Sequence, residues 1–367
     1  MRIREFFNNA AAVLCLSAVV AVPCTSYAQG APGYKVTRLV SDQAQTAVRR
    51  DRNLVNPWGL AASPTGPWWV ANEETGLMTA YDKNGRPIRS DGSRVLVFVP
   101  GAGDSRGTGR PSGLVFNKTQ DFIVTAGDRA APALFITAGT DGVVNGWNPA
   151  VNTVSSLVIL DNSQSGAEYT GITIATRGNE NVLAVANFAK GVVDIYNSKL
   201  ELVATASDPN ADVGFSPFNV TNLDGLLFVT YALRNDEGED EPGPGLGLVD
   251  VFDTNGTLVR RFAEHGTLNA PWGVVRAPAD FGAFSGDVLI GNFGDGTINA
   301  FDPATGDFKG MLTTTRGEPI TIEGLWGLAF GNGGSAGRTN VLYFTAGLDD
   351  ETHGLFGKVV SRPAGGN

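Results

Sequence analysis

NPWGLA at residues 56–61 returns almost unchanged as APWGVV at 270–275 and as GLWGLA at 324–329. A motif used once can be a site, whereas one used three times reads first as architecture. Alignment on its glycine gives Gly59, Gly113, Gly171, Gly273 and Gly327, with Asn219 in the same place in SPFNV. The steps between these positions are 54, 58, 48, 54 and 54 residues. A four-stranded propeller blade has this period, and no coiled-coil or helical repeat does.

Each unit continues with a second apolar segment: PWWVAN, ALFITA, VLAVAN, LLFVTY, DVLIGN and VLYFTA. A third follows, and in the first five units it ends in an aromatic and then Asp or Asn. These pairs are Tyr81-Asp82, Trp147-Asn148, Tyr196-Asn197, Phe252-Asp253 and Phe301-Asp302. The aromatic suits a seam between blades, and the Asp or Asn suits a turn whose amides it can bind. An outer strand comes next in units 1 to 5, but unit 6 stops after its third. The missing strand is assigned to YKVTRLV at 34–40, which would close the ring and remove its open edge. The fold class is therefore all-β, a six-bladed propeller of four-stranded blades spanning residues 34–361. NPWG then begins an innermost strand, with proline where no ladder donor is needed and glycine where backbones crowd the axis. Trp58, Trp272 and Trp326 are expected to pack between blades.

The ends and the composition narrow the setting. Arg2 and Arg4, an apolar stretch over 10–22 and the small residues around Ala28 read as an export signal cut before Gln29. Residues 29–33 then form a linker and 362–367 a tail. Both cysteines, Cys15 and Cys24, fall inside the signal, so the mature chain would carry no disulfide and no thiolate chemistry. The formal charge is −10, and loss of residues 1–28 makes it one unit more negative. Such a surface repels phosphate backbones, so nucleic acid is not an expected partner. No segment of the mature chain is long and apolar enough to span a membrane. A monomer in the periplasm or the extracellular medium is expected. With 48 glycines and 19 prolines between β-branched and aromatic runs, the composition is that of an all-β protein.

Beyond the blade repeat, stretches such as FITAGTDGVVNGWNP, GPGLGLVDVFDTNG, FGAFSGDVLIGNFGDGTINAFDPATG and LYFTAGLDDETHGLFG carry a resemblance. The chain resembles an uncharacterised family of exported bacterial β-propellers, some of whose members carry a PEP-CTERM sorting tail. More distantly it is similar to NHL-repeat and gluconolactonase-type propellers. The resemblance implies a fold and no settled activity.

Candidate site residues come from the propeller geometry. Entrances to the innermost strands and loops after the second strands share one face and converge on the axis. The entrances supply Asn56, Arg110, Glu168, Asn269 and Glu323. The second strands of units 1, 3 and 5 end in Asn72, Asn187 and Asn292, which can also cap turns through their amides. Both histidines, His265 and His353, fall on this face too. Glu168 and Glu323, with asparagine and carbonyl oxygens, offer the hard ligands that a divalent cation such as calcium takes. Either Arg110 is expected to balance one of these two acids, or a cation is expected to balance both. The histidines lack HxxxH or HxH spacing. GDSRG at 103–107 and GGSAG at 333–337 fit G-x-S-x-G but lack the following helix that a nucleophile elbow needs. The acidic run NDEGEDEPGPG at 235–245 is read as a solvated loop.

The function expected on these grounds is non-enzymatic binding of a small molecule, glycan or protein segment at the axial face of an exported propeller. The alternative is a metal-assisted hydrolase or lactonase of gluconolactonase type. It would need three or four ligands converging in the channel.

Overall fold

The computed structural model describes residues 32–103 and 107–363. The expected export signal and the central residues of GDSRG lie outside the described residues. Six sheets of four main strands surround one axis. In blade 1 the strands run outward as Pro57–Ala62, Trp68–Asn72, Leu77–Tyr81 and Leu96–Phe98. Blades 2 to 5 repeat this order from innermost strands Pro111–Phe116, Tyr169–Arg177, Phe215–Leu223 and Pro271–Arg276. Blade 6 contributes Leu325–Phe330, Val341–Leu348 and His353–Arg362. Its outer strand is Gly33–Ser41, which pairs antiparallel with His353–Arg362 from Gly33 opposite Arg362 to Ser41 opposite Leu355. The N-terminal strand thus closes the ring, as the missing sixth outer strand requires.

Six apolar clusters fill the six seams. Tyr81 joins Val40, Tyr343 and Phe356 between blades 6 and 1. Trp147 meets Trp69 between blades 1 and 2, with ring centroids 4.7 Å apart. Tyr196, Phe252 and Phe301 occupy the next three seams in order. Each aromatic at the end of a third strand therefore packs back onto the preceding blade. The Asp or Asn after it accepts turn amides in all five cases. Asp82 takes the N–H groups of Asn84 and Arg86 at 2.8 and 2.9 Å. Asp253 takes those of Asn255 and Thr257 at 2.9 and 2.8 Å.

The tryptophans depart from expectation. All six innermost strands carry a one-residue register shift near their start, as between Pro57 and Leu60 in blade 1. Such a bulge re-aims the side chains it contains. Trp58, Trp272 and Trp326 therefore turn away from the seams and meet one another on the axis, joined by Phe218. Trp58 stacks on Trp326 with centroids 3.6 Å apart, and Trp272 stands edge-on to both at 6.1 and 5.8 Å. The residue that opens each of these three motifs has positive φ: Asn56 at 44°, Ala270 at 43° and Gly324 at 60°. The glycine after the tryptophan is there for crowding. A Cβ on Gly327 would stand 2.7 Å from the Trp58 carbonyl of the next blade.

Candidate functional site

The aromatic cluster divides the axis into two ends. One end is lined by the later residues of the innermost strands, mostly small and apolar. The other is a bowl of about 500 Å³ on the entrance face. Trp58, Phe188, Phe218 and Phe293 supply its apolar side, and its polar lining carries five carboxylates and one guanidinium. The acids are Glu73, Glu168, Glu239, Asp240 and Glu351, and the cation is Arg110.

The blade repeat builds this bowl. In five blades the residue one past the start of the second loop returns its N–H to the carbonyl at the strand-one entrance. Glu73 bonds the Asn56 carbonyl at 3.0 Å, Thr140 that of Arg110 at 3.0 Å, and Phe188 that of Glu168 at 2.8 Å. Phe293 bonds Ala270 at 3.0 Å and Gly347 bonds Gly324 at 2.9 Å. The same sequence position thus faces the axis in these five blades, and what stands there decides the wall: acid, hydroxyl, phenyl, phenyl and glycine in blades 1, 2, 3, 5 and 6.

Asn56 is the joint of the bowl. Its amide donates to Glu73 Oε2 at 3.1 Å and to Glu351 Oε2 at 2.6 Å, and its Oδ1 accepts the indole N–H of Trp326 at 3.2 Å. Two carboxylates and the aromatic cluster are thereby fixed to one side chain, itself buried. Arg110 pairs closely with Glu73 through Nε and reaches Glu74 Oε2 at 3.7 Å. Its bond to Glu73 holds the guanidinium above its ordinary pKa. Glu351 is carried on a turn in which Asp349, Asp350 and Glu351 all have positive φ, between 48° and 65°. Three consecutive non-glycine residues in this region are costly, and the fold sustains them where they deliver Glu351 to the bowl.

Asp240 comes from the acidic run that the sequence suggested was solvated. A short strand, Asp240–Glu241, folds back on the end of blade 4's second strand, with Asp240 opposite Arg234. The hairpin lays Glu239 and Asp240 over the bowl; Glu239 stays exposed, whereas the solvated-loop reading is corrected for Asp240, whose Oδ2 is buried. Burial and then Glu351, Glu239 and Glu168 push the Asp240 carboxyl up to about 7. Burial also raises Glu168, against the pull of Arg234, and raises Glu351, against its bond from Asn56. Three polar groups of the lining are buried without a hydrogen-bond partner: Trp58 Nε1, Thr170 Oγ1 and Asp240 Oδ2. Trp58 Nε1 faces Glu351 closely enough to favour its charged form, yet makes no bond of good geometry to it.

The remaining sequence candidates lie elsewhere. Asn72 and Asn292 are fully buried and spend their amides on neighbouring loop carbonyls. Asn72 Nδ2 bonds the Leu77 carbonyl at 2.8 Å, and Asn292 Nδ2 bonds that of Thr267 at 2.7 Å. Asn187 bonds Asp194 Oδ2 at 2.8 Å, and its Oδ1 accepts the Glu168 N–H at 3.3 Å. Asn269 Oδ1 takes the Gly243 N–H at 2.7 Å and so holds the base of the acidic hairpin. His265 stands on the rim, 3.2 Å from Asp212 and 3.0 Å from the Gly245 carbonyl. His353 bonds Asp42 at 2.6 Å, beside the closing strand.

Glu323 is exposed and outside the bowl, and Arg110 balances neither it nor Glu168. Its Oε1 accepts the Asp349 N–H at 2.9 Å and so braces the turn that presents Glu351. Among the described residues no three His, Cys, Asp or Glu side chains stand close enough together to hold a metal ion. No helix among them is long and apolar enough to cross a membrane.

Comparison with known proteins places the chain among propellers. No protein-family model matches it. It is 31% identical over 335 residues to the uncharacterized protein R648 of Acanthamoeba polyphaga mimivirus, covering 89% of this chain and 80% of that protein. It is 30% identical over 340 residues to the uncharacterized protein L690 of the same virus, covering 89% and 86%. These relatives are viral, where the sequence resemblance pointed to exported bacterial proteins. Among solved structures, a streptogramin B lyase is similar with a TM-score of 0.52 at 11% identity, covering 90% of this chain and 98% of that one. The PQQ-bound aldose sugar dehydrogenase of Streptomyces coelicolor is similar with a TM-score of 0.50 at 14% identity, covering 91% and 99%. At such identities the likeness is one of fold alone.

Proposed function

The chain belongs to the family of the mimivirus proteins R648 and L690, and on that premise we propose that it is a non-enzymatic binding propeller whose axial bowl receives its ligand. One observation carries this reading. The bowl gathers charged and aromatic side chains from all six blades and leaves buried polar groups without partners. Buried donors and acceptors are costly when unmatched, and native structures keep few of them without a reason. A ligand offering complementary groups would satisfy Trp58, Thr170 and Asp240 together. The supporting scaffold is tied together: Asn56 locks two acids to the aromatic cluster, and a strained turn presents one of them, Glu351. The bowl lining holds no histidine, serine or cysteine; His265 is engaged on the rim and His353 beside the closing strand. We also propose that the protein is exported, on the strength of residues 1–28.

A thermal-shift screen of small molecules, free glycans and short peptides tests the binding reading. A ligand at about 100 times its Kd adds roughly 2.7 kcal/mol of stability, which shifts the melting temperature measurably. The expected hits stabilise the wild-type protein and lose their effect in Glu351→Gln and in Asp240→Asn. Hits that survive both substitutions would place the ligand elsewhere and refute the axial bowl as its site. Mass spectrometry of secreted material tests export, and a chain beginning at Gln29 is the expected result. A chain that retains residues 1–28 would overturn it.

A further inference from the structure

Resting on the reading of the bowl as a binding site, we propose that its ligand is a small organic cation, an ammonium group attached to an apolar or hydroxylated body. The charge balance points there first. Five carboxylates face one cavity, and its one guanidinium is already engaged with Glu73 and Glu74. Glu168, Glu239, Asp240 and Glu351 remain without a cation bonded to them in the cavity. Carboxylates gathered in this way focus a negative potential and attract positive charge. Burial first, and then neighbouring acids, raise the carboxyls of Asp240, Glu168 and Glu351.

The kind of cation follows from three further observations. No three acids converge at metal-ligand distance among the described residues, so the negative charge is spread around a space rather than focused on a point. The space, about 500 Å³, is far larger than a bare ion needs. Its apolar side is built of Trp58, Phe188, Phe218 and Phe293, and aromatic faces attract ammonium groups, most strongly when water is excluded. The unpartnered Trp58 N–H adds a requirement for an acceptor, such as a hydroxyl on the ligand body. The unpartnered Thr170 hydroxyl can donate or accept, and Asp240 Oδ2 accepts. An amino alcohol satisfies the whole set, whereas a neutral glycan leaves the charge unanswered and an anion is repelled.

The probe is choline, titrated into the full mature protein and followed by tryptophan fluorescence and calorimetry. Its uncharged isostere, with carbon in place of nitrogen, has nearly the same shape. Ethanolamine and calcium chloride complete the set. Saturable binding of choline or ethanolamine, about tenfold tighter than the isostere, is the expected result. Glu351→Gln and Asp240→Asn should each weaken it by about tenfold at pH 8, with the isostere's weaker binding unchanged. Equal binding of choline and its isostere would overturn the cation and leave the binding reading intact. Calcium that saturates the bowl and excludes choline would overturn it in favour of a metal ion. Silence of every probe, alongside a neutral or anionic hit that depends on Glu351, would overturn the cation alone. Silence of probes and screen together would overturn both readings.

Discussion

Two arginines in this molecule sit among carboxylates, and they are used differently. Arg261, on the outer strand of blade 4, bonds three acids with three nitrogens: Asp250 at 2.6 Å, Asp208 at 2.6 Å and Glu264 at 2.7 Å. Asp208 and Asp250 are almost wholly buried, and Asp208 comes from the connection between blades 3 and 4. This centre is a rivet between neighbours. Arg110, in the bowl, is 59% exposed, pairs closely with one buried acid and leaves four more unanswered. A cluster that completes its own charge stabilises a fold, and one left incomplete is available to something else. Burial alone does not separate the two, because it raises Asp250 to about 6 and Asp240 to about 7. The separating feature is whether a cation is already bonded to the acid.

The largest effect should come from breaking the rivet. Arg261→Met strands two buried carboxylates and should cost about 3–5 kcal/mol in urea unfolding at pH 7. Arg110→Met strands only Glu73, which keeps its bonds from Asn56 and Thr140 and stands beside open water. A loss of about 1–2 kcal/mol is expected by the same measurement. If the two substitutions cost the same, the distinction between a structural and a vacant charge centre fails.

Asp240 makes the third comparison, with the opposite sign. Its carboxyl titrates near 7 in the folded protein and near 3.9 when unfolded. Between these values the folded state holds the proton and the unfolded state does not, so stability falls as pH rises from about 4 to about 7. Asp240→Asn removes that fall and should stabilise the protein at pH 8 by about 1 kcal/mol, read from unfolding curves at pH 5 and pH 8. A variant less stable than wild type at pH 8 would mean that Asp240 has a partner the bowl does not show. Glu323→Gln should change least, within about 0.5 kcal/mol, because its Oε1 still accepts the Asp349 N–H.

Much of this architecture could be read from the sequence. The period of the NPWG motif, the seam aromatics and turn-capping Asp or Asn of five blades, and the closing strand each follow from local chemistry repeated from blade to blade. The tryptophans could not be placed that way. A bulge inserts one residue, turns a side chain through the pleat and leaves no mark in the alternation of apolar residues. The bowl was half legible. Arg110 and Glu168 were found as strand entrances, and Asn56 as the residue opening the motif. Glu73 and Glu351 fall in the loops after second strands, on the face that propeller geometry indicates, but the sequence does not separate them from neighbours such as Glu74 and Asp349 that stay out of the lining. Asp240 was hidden by its own neighbours. A run of five acids reads as solvated, and only the two-residue strand that pairs with Leu233 and Arg234 turns it inward.

The strand that closes the ring also sets a timetable. Gly33 leaves any ribosome or export pore 329 residues before Arg362, the residue it must pair with. Until then blade 6 has no outer strand and the N-terminal segment has no sheet to join. Bringing such distant ends together costs about 5 kcal/mol in chain entropy. The final closure is therefore a late, all-or-nothing event, and a chain cut short anywhere before residue 353 has no strand for Gly33–Ser41 to join. The closing strand acts as a proofreading latch: only a chain synthesised to its last blade can lock.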